Sequence, residues 1–139
     1  MSLNLKLVKE SMFYIGQDPD LFSDIFYDHF FENNPEVEKI FRNTDLRIQK
    51  LELIKGFLMI FSLIENTKKL TNYLKDLGAR HVCYEIESHH YDRVRESLLY
   101  AIASIHEEHW NEEFAREWEK ISFLIINTMK SGSEGIKAA

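Results

Sequence analysis

Three side chains in this sequence have types and positions suited to holding a small polar ligand: His81, Tyr27 and Gln49. His81 continues the apolar series Leu70, Tyr73, Leu74, Leu77, so it lies on the inward face of a helix. A histidine there can bind a metal through a neutral ring nitrogen, haem iron included. On position alone, a core histidine hydrogen-bonded to backbone is the commoner case. Gln49 is the one polar member of the stripe Leu46, Gln49, Leu53, Phe57, Ile60, Ile64. Burying its amide costs free energy unless it finds a partner. A tyrosine hydroxyl and a glutamine amide can both donate hydrogen bonds, which a gas ligand with partial negative charge would accept. Taken singly, a solvent-edge glutamine and a tyrosine with its ring in the core explain these two residues as well.

Other titratable clusters carry less. His106-Glu107-Glu108-His109 has a metal-site look, but its histidines are three apart, whereas a helical His-Glu-x-x-His site needs four. The segment falls at a helix end and reads as solvated surface. His89-His90 are adjacent and cannot chelate one ion from a helix face, so they read as the start of a helix. Cys83, the single cysteine, has no partner for an intramolecular disulfide and no basic cluster to activate it. A reducing compartment is the simplest reading.

The elements that must position these residues are helical throughout. Apolar positions recur at three- and four-residue steps, and strand-type alternation is missing. Leu5, Val8, Met12 and Ile15 form one stripe, which Gly16 is expected to end as a C-cap. Asp18-Pro19 opens a second helix with Phe22, Ile25, Phe26, Tyr27, Phe30 and Phe31. Asn34-Pro35 opens a short third one reaching about Phe41. Asp45 caps a long helix from about Leu46 to Glu65, and Asn66-Thr67 starts the one that carries His81. Ser88 is expected to cap a helix with Tyr91, Val94, Leu98, Ile102 and Ile105 inward. Asn111 caps the last, with Phe114, Trp118, Ile121, Ile125 and Met129 inward, and the tail from about Ser131 is expected to fray.

The sum is a single all-α domain over residues 1–139 with about seven helices of unequal length, which suits a globin-like packing better than an up-down bundle. The 139 residues are 45% hydrophobic and 29% charged, which places the chain among globular rather than disordered sequences. The net charge of −6 without a basic block argues against nucleic acid or an anionic membrane as partner. The first residues do not read as a secretion signal, and no run approaches the ~18 apolar residues of a spanning helix.

In order, these signals resemble a known family. The run from Phe26 to Phe41, FYDHFFENNPEVEKIF, resembles the second and third helices of bacterial globins, above all the globin domains of flavohaemoglobins and related single-domain globins. LGARH, Leu77 to His81, resembles the end of their proximal helix. His90-Tyr91, Val94 and Leu98-Leu99 resemble the start of the helix that follows, and Trp110 and Trp118 fall where that family often carries tryptophan. The separations Tyr27 to Phe41, Gln49 to His81 and His81 to Tyr91 are 14, 32 and 10 residues, and match the family without a gap from Tyr27 to Val94. The likeness covers roughly residues 3 to 130.

The resemblance implies a globin fold around haem b. His81 would be the iron ligand, and Tyr27 and Gln49 would donate to the bound gas. Phe41 would wedge against the haem face and Leu53 would close the pocket near the iron. Ile86, Val94 and Leu98 would pack on the ring. Arg80 would pair with a propionate, and Tyr91 would support the proximal side. The chain departs from the flavohaemoglobin pattern in three places. No reductase module follows, the distal residue is glutamine rather than histidine, and the acidic residue of the last helix is replaced at the ungapped position by Gly132, with Glu134 nearby.

The implied function is reversible dioxygen binding at a five-coordinate iron in the cytoplasm. With an external reductase it extends to oxidation of nitric oxide to nitrate, so whether the chain is an enzyme stays open at this point. A gas-sensing or haem-free signalling module acting through a partner protein is the alternative. An electron-transfer protein with both axial positions filled ranks third, because Gln49 is a poor iron ligand.

Overall fold

The computed structural model describes residues 3–82 and 87–138, and every element among them is helical. The helices are α1 (Leu5–Gln17), α2 (Pro19–Asn33), α3 (Pro35–Glu38), α4 (Leu46–Ser62), α5 (Thr67–Val82), α6 (Ser88–His106) and α7 (Glu112–Ala138), with a 3-10 turn at Glu107–His109. No helix among the described residues is long and apolar enough to cross a membrane.

Side-chain caps set most of the starts. Asp18 accepts from the Leu21 N–H at 3.1 Å, Asp45 from Arg47 at 3.0 Å, Asn66 from Lys69 at 3.1 Å and Asn111 from Phe114 at 2.8 Å. Each satisfies an N–H that the helix itself cannot, and is typically worth about 1 kcal/mol.

Several boundaries differ from the sequence reading. Gly16 lies inside α1, and Asp18 both closes α1 and opens α2. Asn34 does not cap α3 with its side chain, whose amide instead donates back to the Phe30 carbonyl at 2.9 Å. α3 stops at Glu38 and turns follow, while α4 stops at Ser62. Glu87, not Ser88, caps α6, through a reciprocal box in which the His90 ring accepts from the Glu87 N–H at 2.9 Å.

The largest difference is at the C-terminal end, where α7 runs on through Gly132 and Glu134 to Ala138 instead of fraying near Ser131. The reason is a close crossing of α5 and α7, the most extensive helix contact in the molecule. A β-carbon on Gly78 would overlap the Met129 carbonyl and come within 2.8 Å of its Cα, and one on Gly132 would overlap the Lys75 carbonyl and come within 2.7 Å of its Cα. Backbone meets backbone at two points, one helical turn apart on each helix. Dispersion contact made over that length offsets the poor helix propensity of glycine.

The core is aromatic and aliphatic, with Phe22, Phe30, Leu74, Tyr91, Ile102, Trp118 and Ile121 almost wholly buried. α2 packs on α6 and α4, and α6 packs on α7. One polar chain crosses this core. The Trp118 indole N–H donates to Ser11 Oγ at 2.7 Å, Ser11 Oγ lies 2.6 Å from His106 Nε2, and His106 Nδ1 lies 2.7 Å from the Ile102 carbonyl. A carbonyl only accepts, so Nδ1 carries the proton, Nε2 is the acceptor, and the Ser11 hydroxyl donates to it. α1, α6 and α7 are thereby tied together with every polar atom of the chain satisfied.

Glycine substitutions test the crossing. Gly78→Ala and Gly132→Ala should each destabilise by about 1–3 kcal/mol or more, as overpacking does. Gly16→Ala, where an added β-carbon meets nothing within 4 Å, should stabilise by up to about 1 kcal/mol. Urea unfolding midpoints compare the three.

A pH dependence also follows. Burial holds the His106 imidazole below its ordinary pKa, with the nearby His109 adding to the effect and the bond to Ile102 opposing it. Burial likewise lowers His90, with His89 adding and Glu87 and Glu36 opposing. In the unfolded chain both titrate near ~6.5, so below that point the unfolded state binds more protons. Stability should be complete above about pH 6.5 and fall as the pH drops toward about 5. His106→Gln should make that decline shallower in denaturation midpoints measured across the range.

Candidate ligand-binding site

α5 presents His81 near its C-terminal end, where the ring is half-buried. His81 Nδ1 lies 2.7 Å from the Leu77 carbonyl, one turn back along the same helix. As at His106, the acceptor is a carbonyl, so Nδ1 carries the hydrogen and Nε2 the lone pair. Burial is the main reason the His81 pKa lies below the ordinary value. The Leu77 bond opposes this and the adjacent Arg80 charge adds to it. The ring is therefore neutral at physiological pH, with its orientation set by backbone. That is the form in which imidazole binds iron.

The backbone that orients this ring is itself held. The Tyr91 hydroxyl, buried on α6, donates to the Gly78 carbonyl at 3.4 Å, and a hydrogen bond links it to the Ser133 side chain on α7. Tyr91 therefore supports α5 one residue past Leu77, where α7 also presses. Neither Gly78 nor Ser133 stood out in the sequence. The signal available was the LGARH glycine and a Gly-Ser pair in the last helix, and glycine alone does not announce a close approach.

α2 and α4 bring a second pair together. Tyr27 is 3% exposed, and its hydroxyl is hydrogen-bonded to the half-buried Gln49 side chain. Burial pushes the phenol up to about 12, and the Gln49 bond pulls the other way. Tyr27 is thus a neutral donor at any physiological pH. Phe41 packs edge-on to the Tyr27 ring at 6.2 Å and tilts against Phe31 at 5.5 Å. Leu53 and Val94 are half-buried against the core cluster that contains Tyr27, Tyr91 and Leu98. Arg80 is exposed. Ile86 lies outside the described residues, as does Cys83.

Among the described residues no group of three or more His, Cys, Asp or Glu side chains could hold an ion. His106 is not solvated surface, as its sequence neighbours suggested, but 1% exposed with both ring nitrogens bonded. Only the rest of that segment, Glu107 to His109, is exposed.

Comparison with known proteins gives one consistent picture. The family model described as Globin matches residues 24–129. The Flavohemoprotein of Oceanobacillus iheyensis is 25% identical over 124 residues, covering 88% of this chain and 30% of its own length. That of Bacillus subtilis is 24% identical over 125 residues, with 88% and 31% covered. The chain thus spans about a third of the length of these relatives. A Pseudomonas aeruginosa PAO1 protein, whose crystal structure is described as structurally highly homologous to a human hemoglobin, superposes with a TM-score of 0.75 at 26% identity, covering 91% of this chain and 98% of that one.

The Tyr27 environment makes a direct prediction. In an alkaline absorbance titration, with the fold followed by circular dichroism, one of the six tyrosines should ionise last, near pH 12. Tyr27→Phe should remove that step and no other.

Proposed function

Because the chain belongs to the globin family, we propose that it binds haem b through His81 Nε2 and holds dioxygen reversibly on the opposite face. Haem supplies the gas-binding and redox chemistry, and the protein supplies ligation, pocket polarity and exclusion of water. The observation that carries the reading is the neutral Tyr27 phenol, buried and bonded to Gln49. A donor pair of that kind suits a small acceptor with partial negative charge.

Each residue then has a task. The Leu77 carbonyl fixes the tautomer of His81 and aims Nε2. Tyr27 donates to the gas ligand, and Gln49 holds the phenol in position and offers its own amide. Phe41 would wedge against one haem face and Leu53 would narrow the pocket. Val94 and Leu98 would pack on the ring. Arg80, already exposed, would pair with a propionate by a charge-assisted bond. Tyr91 keeps the proximal helix in place. Two donors slow release of the gas, which suits scavenging or oxidation of nitric oxide to nitrate better than delivery. That oxidation needs electrons from an external reductase. A cytoplasmic location, where thiols such as Cys83 stay reduced, is part of the proposal.

The test is spectroscopic. Purified, haem-reconstituted protein is reduced without oxygen and its visible spectrum recorded before and after carbon monoxide. One broad band that changes with the gas is expected. Two sharp bands before the gas would mean that a protein side chain fills the sixth position, and failure to take up stoichiometric haem would overturn the reading altogether. Tyr27→Phe combined with Gln49→Leu should speed dioxygen release by about tenfold or more, since a hydrogen bond to a charged acceptor is worth about 1.5–3 kcal/mol. An unchanged release rate would remove the donor pair from the account.

A further inference from the structure

The chain Trp118–Ser11–His106 is built from three helices and lies apart from the residues assigned to gas binding. A buried indole N–H usually ends on a group with no use for its proton, such as a backbone carbonyl. Here it ends on a hydroxyl at 2.7 Å, and that hydroxyl ends on a ring nitrogen at 2.6 Å. The Ile102 carbonyl fixes the histidine tautomer, leaving the lone pair of Nε2 facing Ser11. The direction of every hydrogen bond in the chain is thereby set, from indole to imidazole.

We propose that Trp118 is a one-electron donor site whose proton is taken up by His106 through Ser11. The electron passes to a strong one-electron oxidant of the peroxyl-radical class, which is reduced to its peroxide anion. The indole Nε1–H bond breaks and its proton moves to Ser11 Oγ. The proton that Ser11 already carried moves to His106 Nε2. Trp118 becomes a neutral indolyl radical, Ser11 remains a hydroxyl, and His106 becomes an imidazolium. After the shift Ser11 donates to the indole nitrogen and His106 donates to Ser11, while Nδ1 still donates to Ile102. The chain conducts one proton and loses no hydrogen bond.

The surroundings fit a donor rather than a plain structural tie. The Trp118 ring stacks on Phe57 with centroids 5.8 Å apart and planes 12° from parallel. Phe57 lies one helical turn along α4 from Leu53, so this stack connects the donor to the helix that carries Leu53 of the proposed gas pocket, where oxidants would arise. That placement rests on the proposed function, but the relay does not. On the other side, His106 meets Tyr14 of α1 at 4.9 Å, and Tyr14 stacks on the exposed His109 at 5.1 Å. Tyr14 and His109 are the titratable groups that face His106, and the Trp110 and Phe114 rings pack against it at 5.2 and 5.4 Å.

Flash photoionisation of the full chain tests the relay. The sequence has two tryptophans, so Trp110→Phe leaves Trp118 as the single indole. Transient absorption then separates the indole radical cation from the neutral radical. Conversion of the first to the second should be fast and independent of buffer concentration. Ser11→Ala and His106→Gln, each in that background, should slow it about tenfold or more, the loss of one efficient transfer partner. Lowering the pH until His106 is already protonated should slow it likewise, and this arm needs no substitution in the Ser11–His106 pair should either variant fail to fold. A conversion rate that ignores both substitutions and the pH, or that rises with buffer concentration, would overturn the proposal. Failure of haem loading would leave this result untouched.

Discussion

Where α5 and α7 cross, two glycines let backbone rest on backbone. Gly78 sits against Met129, and Gly132 against Lys75. The setting of His81 follows from that contact. The Leu77 carbonyl that orients His81 and the Gly78 carbonyl that receives the Tyr91 hydroxyl are consecutive on α5. Both belong to the turn that α7 presses on. The ring of His81 is aimed by a carbonyl, the carbonyl by its helix, and the helix by a contact that admits no side chain. Tyr27 and Gln49 come from α2 and α4, which meet each other and reach α7 through the aromatic stack of Phe22, Phe57 and Trp118.

Much of this was legible in the sequence. Helical stepping through Leu70, Leu74 and Leu77 placed His81 inward, and Gln49 stood out because polar residues on apolar stripes are costly. The pairing of Gln49 with Tyr27 was not visible from spacing. It needed either the family's likeness or the fold, since the two sit on different helices. The match of the family model to residues 24–129 bears out the likeness seen in the ordered motifs.

Two misreadings share a physical cause. Ser-Gly-Ser-Glu-Gly after Lys130 reads as a fraying tail because local propensity counts each glycine as a loss. The compensating gain exists only once a second helix lies against it. His106 reads as surface because three of its sequence neighbours are polar and exposed. Its position four residues past Ile102 continues the buried stripe, and that period was the better guide. In both cases composition over a short window outweighed periodicity over a longer one.

The last turns of α7 also change how damage to the chain would spread. Unwinding α7 past Lys130 would take Ser133 from the Tyr91 hydroxyl and remove the backbone wall that Gly132 offers to Lys75. The injury would surface some fifty residues earlier in the chain, in the grip of α5 on His81. The last turns of α7 thus act as a remote brace for the turn of α5 that carries His81.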